Sequence, residues 1–234
     1  MYGPVAAEHY ARVTGAHLDR VLEMVLRLPP GDALDVGCGT GALVRALRRA
    51  GWRARGIDRS RHMVSQARRR GPRAAFSQGD ATCLSRLPSV DLVTATFDVF
   101  SHLHSAMLAR AFLRGAARSL RPGGTLLFDA ITPHDIDRNW VDYVHYLRRD
   151  RWKLVRFGRR VAPGVGELHY EWFVRGHNGR WRHQKECHRL RAWPRAQVQS
   201  WLQSSGFTHI RCMDAGTLRA PGRACVRWLF TARR

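Results

Sequence analysis

Asp35 lies within a short strand-like run that leads into glycines at 37, 39 and 41, and two further carboxylates, Asp58 and Asp80, each close such a run. Residues 34–41 read Leu-Asp-Val-Gly-Cys-Gly-Thr-Gly, and a helix-like stretch, Ala42 to Ala50, follows at once. Glycines at this spacing let the backbone turn sharply and come close to a ligand. The helix behind them aims its N–H groups and positive dipole end at an anionic group. The chemistry implied is the binding of a nucleotide-like cofactor. Gly37, Gly39 and Ala42 also satisfy the looser dinucleotide pattern, and Asp58, about twenty residues on, would suit the ribose of NAD or of an adenosyl cofactor equally well. Proton transfer would fall to groups that titrate near neutrality. His102, at the end of the fourth strand, is the first candidate, with His188 and Tyr10 behind it.

The third unit separates the cofactor alternatives. Ala74 to Asp80 (Ala-Ala-Phe-Ser-Gln-Gly-Asp) puts another acid at a strand end, and Leu-Arg-Pro-Gly-Gly at 120–124 precedes the strand Thr125 to Ile131. With these motifs in this order the chain resembles class I S-adenosylmethionine-dependent methyltransferases from about Pro30 to Ile131. The resemblance implies that Asp35 and the backbone from Gly37 through Cys38, Gly39 and Gly41 hold the methionine part of the cofactor. It implies further that Asp58 binds the ribose hydroxyls, Asp80 the adenine amino group and the Ala81 N–H the ring nitrogen. Arg59, Met63, Thr82 and Thr96 would border the same molecule. In such enzymes the sulfonium carries an activated methyl group, so the protein must bind it, exclude water and align a nucleophile in line with the C–S bond.

The segment Thr96-Phe97-Asp98-Val99-Phe100-Ser101-His102 lacks the Asn/Asp-Pro-Pro-aromatic run of enzymes acting on exocyclic nucleobase amines, and the Pro-Cys of C5-pyrimidine enzymes. Together with Glu186-Cys187-His188-Arg189 it is similar, more loosely, to small single-domain bacterial methyltransferases with an antiparallel excursion after the fifth strand.

The elements that must position these groups read as α/β: a Rossmann-like, seven-stranded, mostly parallel sheet with helices on both faces, plus an antiparallel β-hairpin insertion. Strands are expected at 33–37, 53–58, 74–77, 91–96, 125–131, 209–213 and 225–231, with helices at 9–28, 105–120 and 195–204 among others. The chain divides into an N-terminal helical cap (1–30) that would lid the cofactor, a cofactor-binding core (31–131 and 194–234), and an inserted hairpin (132–193) where substrate choice should reside.

That hairpin is expected to turn at Asn178-Gly179, the dipeptide preferred in two-residue type I′ turns. Counted back from such a turn, Arg175 faces Arg182, Phe173 faces Gln184, Glu171 faces Glu186 and His169 faces His188, all on one side. Directly opposed glutamates need compensation. The candidates are arginines, a shared proton, or a cationic ligand or metal. Asp98, His169, Glu171 and Glu186 are therefore candidate substrate contacts, and the other face, with Leu168, Tyr170, Trp172, Val174 and Trp181, is expected to pack on the body of the domain.

Composition sets limits. A chain of 234 residues buries a sizeable core without disulfide or metal. Five cysteines with no C-x-x-C pair fit reduced thiols in a cytoplasm, no metal site is expected, and no run approaches the ~20 apolar residues of a membrane span. The net charge of +22 invites a nucleic-acid partner, but its arginines are spread along the chain rather than gathered in one stripe. The expectation is thus a cytoplasmic enzyme, monomer or homodimer, that uses S-adenosyl-L-methionine to methylate a nitrogen, or next an oxygen, of a small molecule. The alternatives are an RNA (rRNA or tRNA) methyltransferase and a non-catalytic S-adenosylmethionine-binding protein.

Overall fold

The computed structural model describes residues 2–9, 16–84, 89–141, 143–176 and 178–234. Two short helices, α1 (Pro4–His9) and α2 (Ala16–Val25), precede the first strand; Tyr10 and the start of the expected leading helix lie outside the described residues. Then come β1 (Asp32–Val36), α3 (Ala42–Arg49), β2 (Arg53–Asp58), α4 (Arg61–Arg70), β3 (Phe76–Gln78), β4 (Val90–Ala95), α5 (Ala106–Ser119) and β5 (Leu120–Ile131). The third strand begins later than expected because Arg73–Ala75 takes a helical turn, closed by the Ala75 N–H donating to the Pro72 carbonyl at 3.0 Å. Alanine favours such a turn over an extended start.

The insertion holds more than a hairpin. Strands β6 (Val144–Arg149), β7 (Trp152–Ala162), β8 (Val165–Arg175) and β9 (Trp181–Arg191) form a separate antiparallel sheet in that order. After it α6 (Arg195–Ser204), β10 (Thr208–Asp214) and β11 (Arg227–Arg233) complete a main sheet of seven strands ordered β10-β11-β5-β4-β1-β2-β3, in which β11 alone runs antiparallel to its neighbours. The central strands β4 and β5 are buried nearly throughout because helices cover both faces. Phe100, Phe112, Phe128 and Phe230 fill one side, with Phe128 stacked on Phe230 at 5.1 Å between ring centroids. Val21, Leu43, Leu47 and Trp52 fill the other. Each such side chain contributes ~1.5–3 kcal/mol on burial. Ser60 and Ser105 cap α4 and α5 by accepting the N–H groups of Met63 and Leu108 at 3.3 and 3.2 Å.

The β8–β9 register differs from the expected one by a single residue. Arg175 pairs with Trp181, Phe173 with His183, Glu171 with Lys185, His169 with Cys187, Tyr170 with Glu186 and Leu168 with His188. The cause is in the turn. The Gly179 N–H donates to the Gly176 carbonyl at 3.1 Å, the Gly176 N–H to the Arg180 carbonyl at 2.8 Å, and Gly179 takes φ 76°. That is a three-residue loop with a left-handed glycine rather than a two-residue turn, and the extra residue sends every β9 side chain to the opposite face. His177, inside this turn, lies outside the described residues.

The inner face of the small sheet buries Leu154, Leu168, Tyr170 and Trp172 against Ala6 of α1 and Trp140. Trp181, expected on that face, is 44 % exposed on the other, beneath the Lys153 ammonium. The segment before α1 is pinned between the two sheets: the Gly3 N–H donates to Glu186 Oε1 at 3.0 Å, and the Ser60 hydroxyl donates to the Tyr2 carbonyl at 2.8 Å. No helix among the described residues is long and apolar enough to cross a membrane.

Candidate active site

The carboxyl ends of β1, β2 and β4 open into a cavity of about 360 Å³. Two of its glycines have distinct jobs. At Gly37 (φ 69°) a Cβ would stand 2.3 Å from Val99 Cγ2, so only glycine lets this turn pack against the loop after β4. At Gly39 (φ 53°) a Cβ would meet nothing within 4 Å and would project into open space that a ligand can use. Gly41 does not line the cavity; a Cβ there would meet the Phe76 ring at 2.5 Å, so its task is the close packing of α3 on β3.

Asp58 holds the loop in shape. Its carboxylate accepts the Gly39 N–H at 2.9 Å and the Ser60 N–H at 2.7 Å, and burial raises its pKa despite both bonds. Asp35, 3 % exposed, accepts the Thr94 hydroxyl at 2.8 Å. Burial first, and the nearby Asp58 charge, lift Asp35 to about 7, and burial likewise pushes the Cys38 thiol upward. Asp80 is the opposite case. The Thr82 N–H at 2.8 Å, ahead of the Thr82 hydroxyl and Arg59, keeps its pKa below the usual range. Arg59, Met63, Ala81 and Thr96 complete this half of the cavity.

The other half is aromatic. His102 and His188 lie 5.5 Å apart between ring centroids, and Tyr2 packs over His188 at 4.3 Å and edge-on to His102 at 6.3 Å; all three line the cavity. Tyr170 backs His188 at 5.5 Å. Burial lowers His102 to about 4, and burial raises the Tyr170 hydroxyl to about 12. His188 is 4 % exposed, and its Nε2 lies 3.3 Å from Glu186 Oε2. Two of the three expected proton-transfer residues thus meet in space, although they are far apart in the chain. The third, Tyr10, is outside the described residues.

Three of the expected substrate contacts are placed elsewhere. Asp98 turns its carboxylate onto Arg227 in a paired contact. Glu171 and His169 sit on the outer face of the small sheet because of the one-residue shift in register. Glu171 is paired there with Lys185 at 3.2 Å and His183 at 3.0 Å, so no opposed glutamates need a ligand. On the same face Glu167, His169 and Cys187 bring ligand atoms within 4.8 Å of one another, but Arg159 and Arg189 hold the two Glu167 oxygens at 2.7 and 3.1 Å and set a positive field against a cation. Only Glu186 of the four faces inward.

Sequence reasoning missed Asp129. It is fully buried in β5, where it accepts the Phe97 N–H at 2.7 Å and the Asp98 N–H at 2.9 Å and contacts His17 of α2 at 2.5 Å and Arg227 of β11 at 3.4 Å. Burial alone would raise its pKa; Arg227 and His17 outweigh burial and hold it ionised. Phe97 (φ 62°) and Asp98 (φ 70°) occupy left-handed backbone that costs about 1–3 kcal/mol each in a non-glycine residue, and Asp129 offsets that strain. The signal was one acid inside the otherwise apolar run Leu-Leu-Phe-Asp-Ala-Ile.

Comparison with known proteins agrees with this geometry. A methyltransferase domain model matches residues 33–124. A Geobacillus sp. (strain WCH70) protein named as a methyltransferase is 28% identical over 206 residues, 86% of this chain and 83% of that one. The cypemycin N-terminal methyltransferase of Streptomyces sp. is 33% identical over 165 residues, 66% of this chain and 67% of that one. A solved structure of an S-adenosylmethionine-bound amino pentose methyltransferase from Micromonospora echinaspora superposes with a TM-score of 0.75 at 23% identity, covering 100% of this chain and 98% of that one.

The cradle fits that cofactor on its own terms. It has the open space at Gly39, a buried carboxylate at Asp35 where a cationic group can settle, and Asp58 and Asp80 at successive strand ends. With the arrangement and the relatives in agreement, the chain belongs to the S-adenosylmethionine-dependent methyltransferases and has S-adenosylmethionine as its cofactor.

Proposed function

We propose that this chain methylates a nitrogen of a small molecule, with a hydroxyl oxygen as the second choice of acceptor. The observation that carries the reading is the wall of Tyr2, His102 and His188 at the cofactor cavity, in which burial keeps the His102 imidazole neutral at pH 7. A neutral imidazole can accept a proton as a nucleophile attacks. Bound S-adenosylmethionine supplies an electrophilic methyl group on a sulfonium, so the chain itself needs no covalent intermediate.

The roles of the chain follow. Asp35 and the backbone of Gly37 and Gly39 would hold the amino-acid part of the cofactor, Asp58 the ribose and Asp80 with Ala81 the adenine. Arg59, Met63 and Thr96 would enclose it, while Cys38 and Gly41 fix the loop from beneath. Phe97 and Leu103 exclude water, Tyr2 and His188 orient the acceptor, and a ring nitrogen of His102 takes the proton. The preference for nitrogen does not rest on Glu171, which is outside the cavity. It draws on the cypemycin N-terminal methyltransferase, whose name specifies an N-terminus, and on the solved neighbour named for an amino pentose.

The test is incubation with S-adenosylmethionine and parallel panels of small amines, small phenols and RNA, with products read by mass spectrometry. Methylated amines are expected, and His102→Asn should lower kcat by about 10²-fold or more with cofactor affinity unchanged. Methylation of phenols alone would move the acceptor to oxygen. Methylation of RNA alone, with steeply salt-dependent binding, would overturn the small-molecule reading. Cofactor binding without turnover of any panel would favour a non-catalytic binding protein.

A further inference from the structure

The inner face of the small sheet carries a row of polar side chains that methyl transfer, as described, does not use. The strand registers place His145 beside Arg156, Arg156 beside Tyr170 and Tyr170 beside Glu186. Arg156 is half-buried. One of its terminal nitrogens donates to the Tyr143 hydroxyl, its guanidinium lies 5.3 Å from the centre of the Tyr143 ring, and Tyr170 is its direct cross-strand neighbour. No carboxylate among the described residues pairs with it, and its Nε and His145 Nδ1 are buried without a hydrogen-bond partner among the described residues.

This is unlike Arg227. Arg227 lies between Asp98 and Asp129 and is fully compensated. Most remaining arginines are on the surface, where water solvates them. A half-buried guanidinium facing phenol hydroxyls and an imidazole, with donors left over, is able to take a charge-assisted acceptor. Burial works against the Arg156 charge, but the oxygens of Tyr143 and Tyr170 hold it protonated. The position is one side chain from the acceptor wall, since Tyr170 lies 6.3 Å from Tyr2 and 5.5 Å from His188 between ring centroids.

We infer that Arg156, with Tyr143, His145 and Tyr170, forms an anion-binding subsite that takes a carboxylate or phosphate group of the methyl acceptor and so orients its nucleophile toward His102. Guanidinium forks match the planar oxygens of either group, and the hydroxyls beside them add directed donors. The acceptor is then a molecule long enough to span Tyr170, with its nucleophile at one end and an anion at the other. The inference rests on the acceptor reading above.

Its test does not depend on turnover. The full chain, saturated with S-adenosylhomocysteine to fill the cofactor cradle, is titrated calorimetrically with inorganic phosphate and, separately, with acetate at constant ionic strength. Wild type, Arg156→Gln, Arg156→Lys and the exposed control Arg149→Gln are compared. Saturable binding by wild type that weakens by about tenfold or more in Arg156→Gln, partly returns in Arg156→Lys and is unchanged in Arg149→Gln supports the subsite. Binding of phosphate alone assigns a phosphorylated acceptor, and binding of acetate alone a carboxylate. Binding of neither anion, or equal losses in Arg156→Gln and Arg149→Gln, overturns it. Should Arg156→Gln fail to fold, as read by circular dichroism, Tyr143→Phe gives the same comparison. If no acceptor is ever methylated, the acceptor reading fails while this titration still reports on the anion.

Discussion

The two halves of the cavity are built by different means. On the cofactor side, Asp35, Gly37, Gly39 and Asp58 come from one β-α-β stretch, and backbone geometry does most of the positioning: the Asp58 carboxylate binds main-chain N–H groups at 2.7 and 2.9 Å. On the acceptor side, Tyr2, His102 and His188 come from three distant segments and meet only as side chains packed on one another. A rigid cradle for a fixed cofactor beside a wall of replaceable side chains lets acceptor choice change without disturbing cofactor binding. Asp129 joins the halves, because it fixes the Phe97–Asp98 loop and also contacts α2 through His17.

The largest break in this division is expected at that junction. Asp129→Ala leaves Arg227 buried beside a single carboxylate and releases the strained loop, so it should destabilise the fold by about 3–5 kcal/mol and damage both halves together. Thermal or denaturant unfolding checks this; loss of acceptor turnover alone at full stability would contradict it.

A smaller effect isolates the cofactor half through pH. Asp35 has a folded pKa of about 7 against an ordinary 3.8. Because the folded state is the one that keeps this proton, its contribution to stability is fully present below about pH 4 and is lost as pH rises through 7. Asp35→Asn should flatten that decline in the cofactor-free protein. Cofactor binding, which favours the ionised carboxylate beside a cationic group, should strengthen from pH 6 to 8 with release of a proton measurable by titration in buffers of different ionisation enthalpy.

The acceptor half should respond with the opposite sign. His102 is lowered from 6.5 to about 4, so its contribution to stability is present above pH 6.5 and is lost as pH falls through 4. The limb of the rate profile assigned to this base should fall near pH 4 in wild type. A limb near 6.5 that vanishes in His102→Asn would mean that the imidazole is solvated rather than buried.

The smallest effect sharpens the comparison by its absence. Glu171→Gln removes an exposed pairing with Lys185 and His183, worth at most about 1 kcal/mol, and should leave the acceptor KM unchanged. A severalfold rise in KM would return Glu171 to the acceptor site.

These contrasts also explain what could be read from the chain. The cofactor half was legible because its signals are local: a glycine that must tolerate positive φ, or an acid at a strand end, means the same wherever the strand lies. The succession of core strands along the chain and α6, with its bounds, were legible for the same reason. The acceptor half was legible only in part. His102 and His188 stood out by residue type, whereas Tyr2 gave no signal, because its place depends on Gly3 and Ser60 holding a short terminal segment between two sheets. Strands β6 and β7 were hidden by Arg148, Arg149 and Arg151, which surround a tight turn. In the β8–β9 hairpin one residue in the loop decided which face Glu171 and His169 occupy, and composition carries no record of that residue's φ. Asp129 was visible as an oddity, but its partners, Phe97 and Arg227, are far away in sequence.

Isothermal titration with S-adenosylmethionine tests the central claim most directly, with wild type, Asp58→Ala and His102→Asn compared. Micromolar binding by wild type, weakened about 100-fold or more in Asp58→Ala and within about twofold of wild type in His102→Asn, is the result predicted for a cradle separate from the acceptor wall. Equal loss in both variants would contradict the separation, and no binding by wild type would contradict the cradle itself.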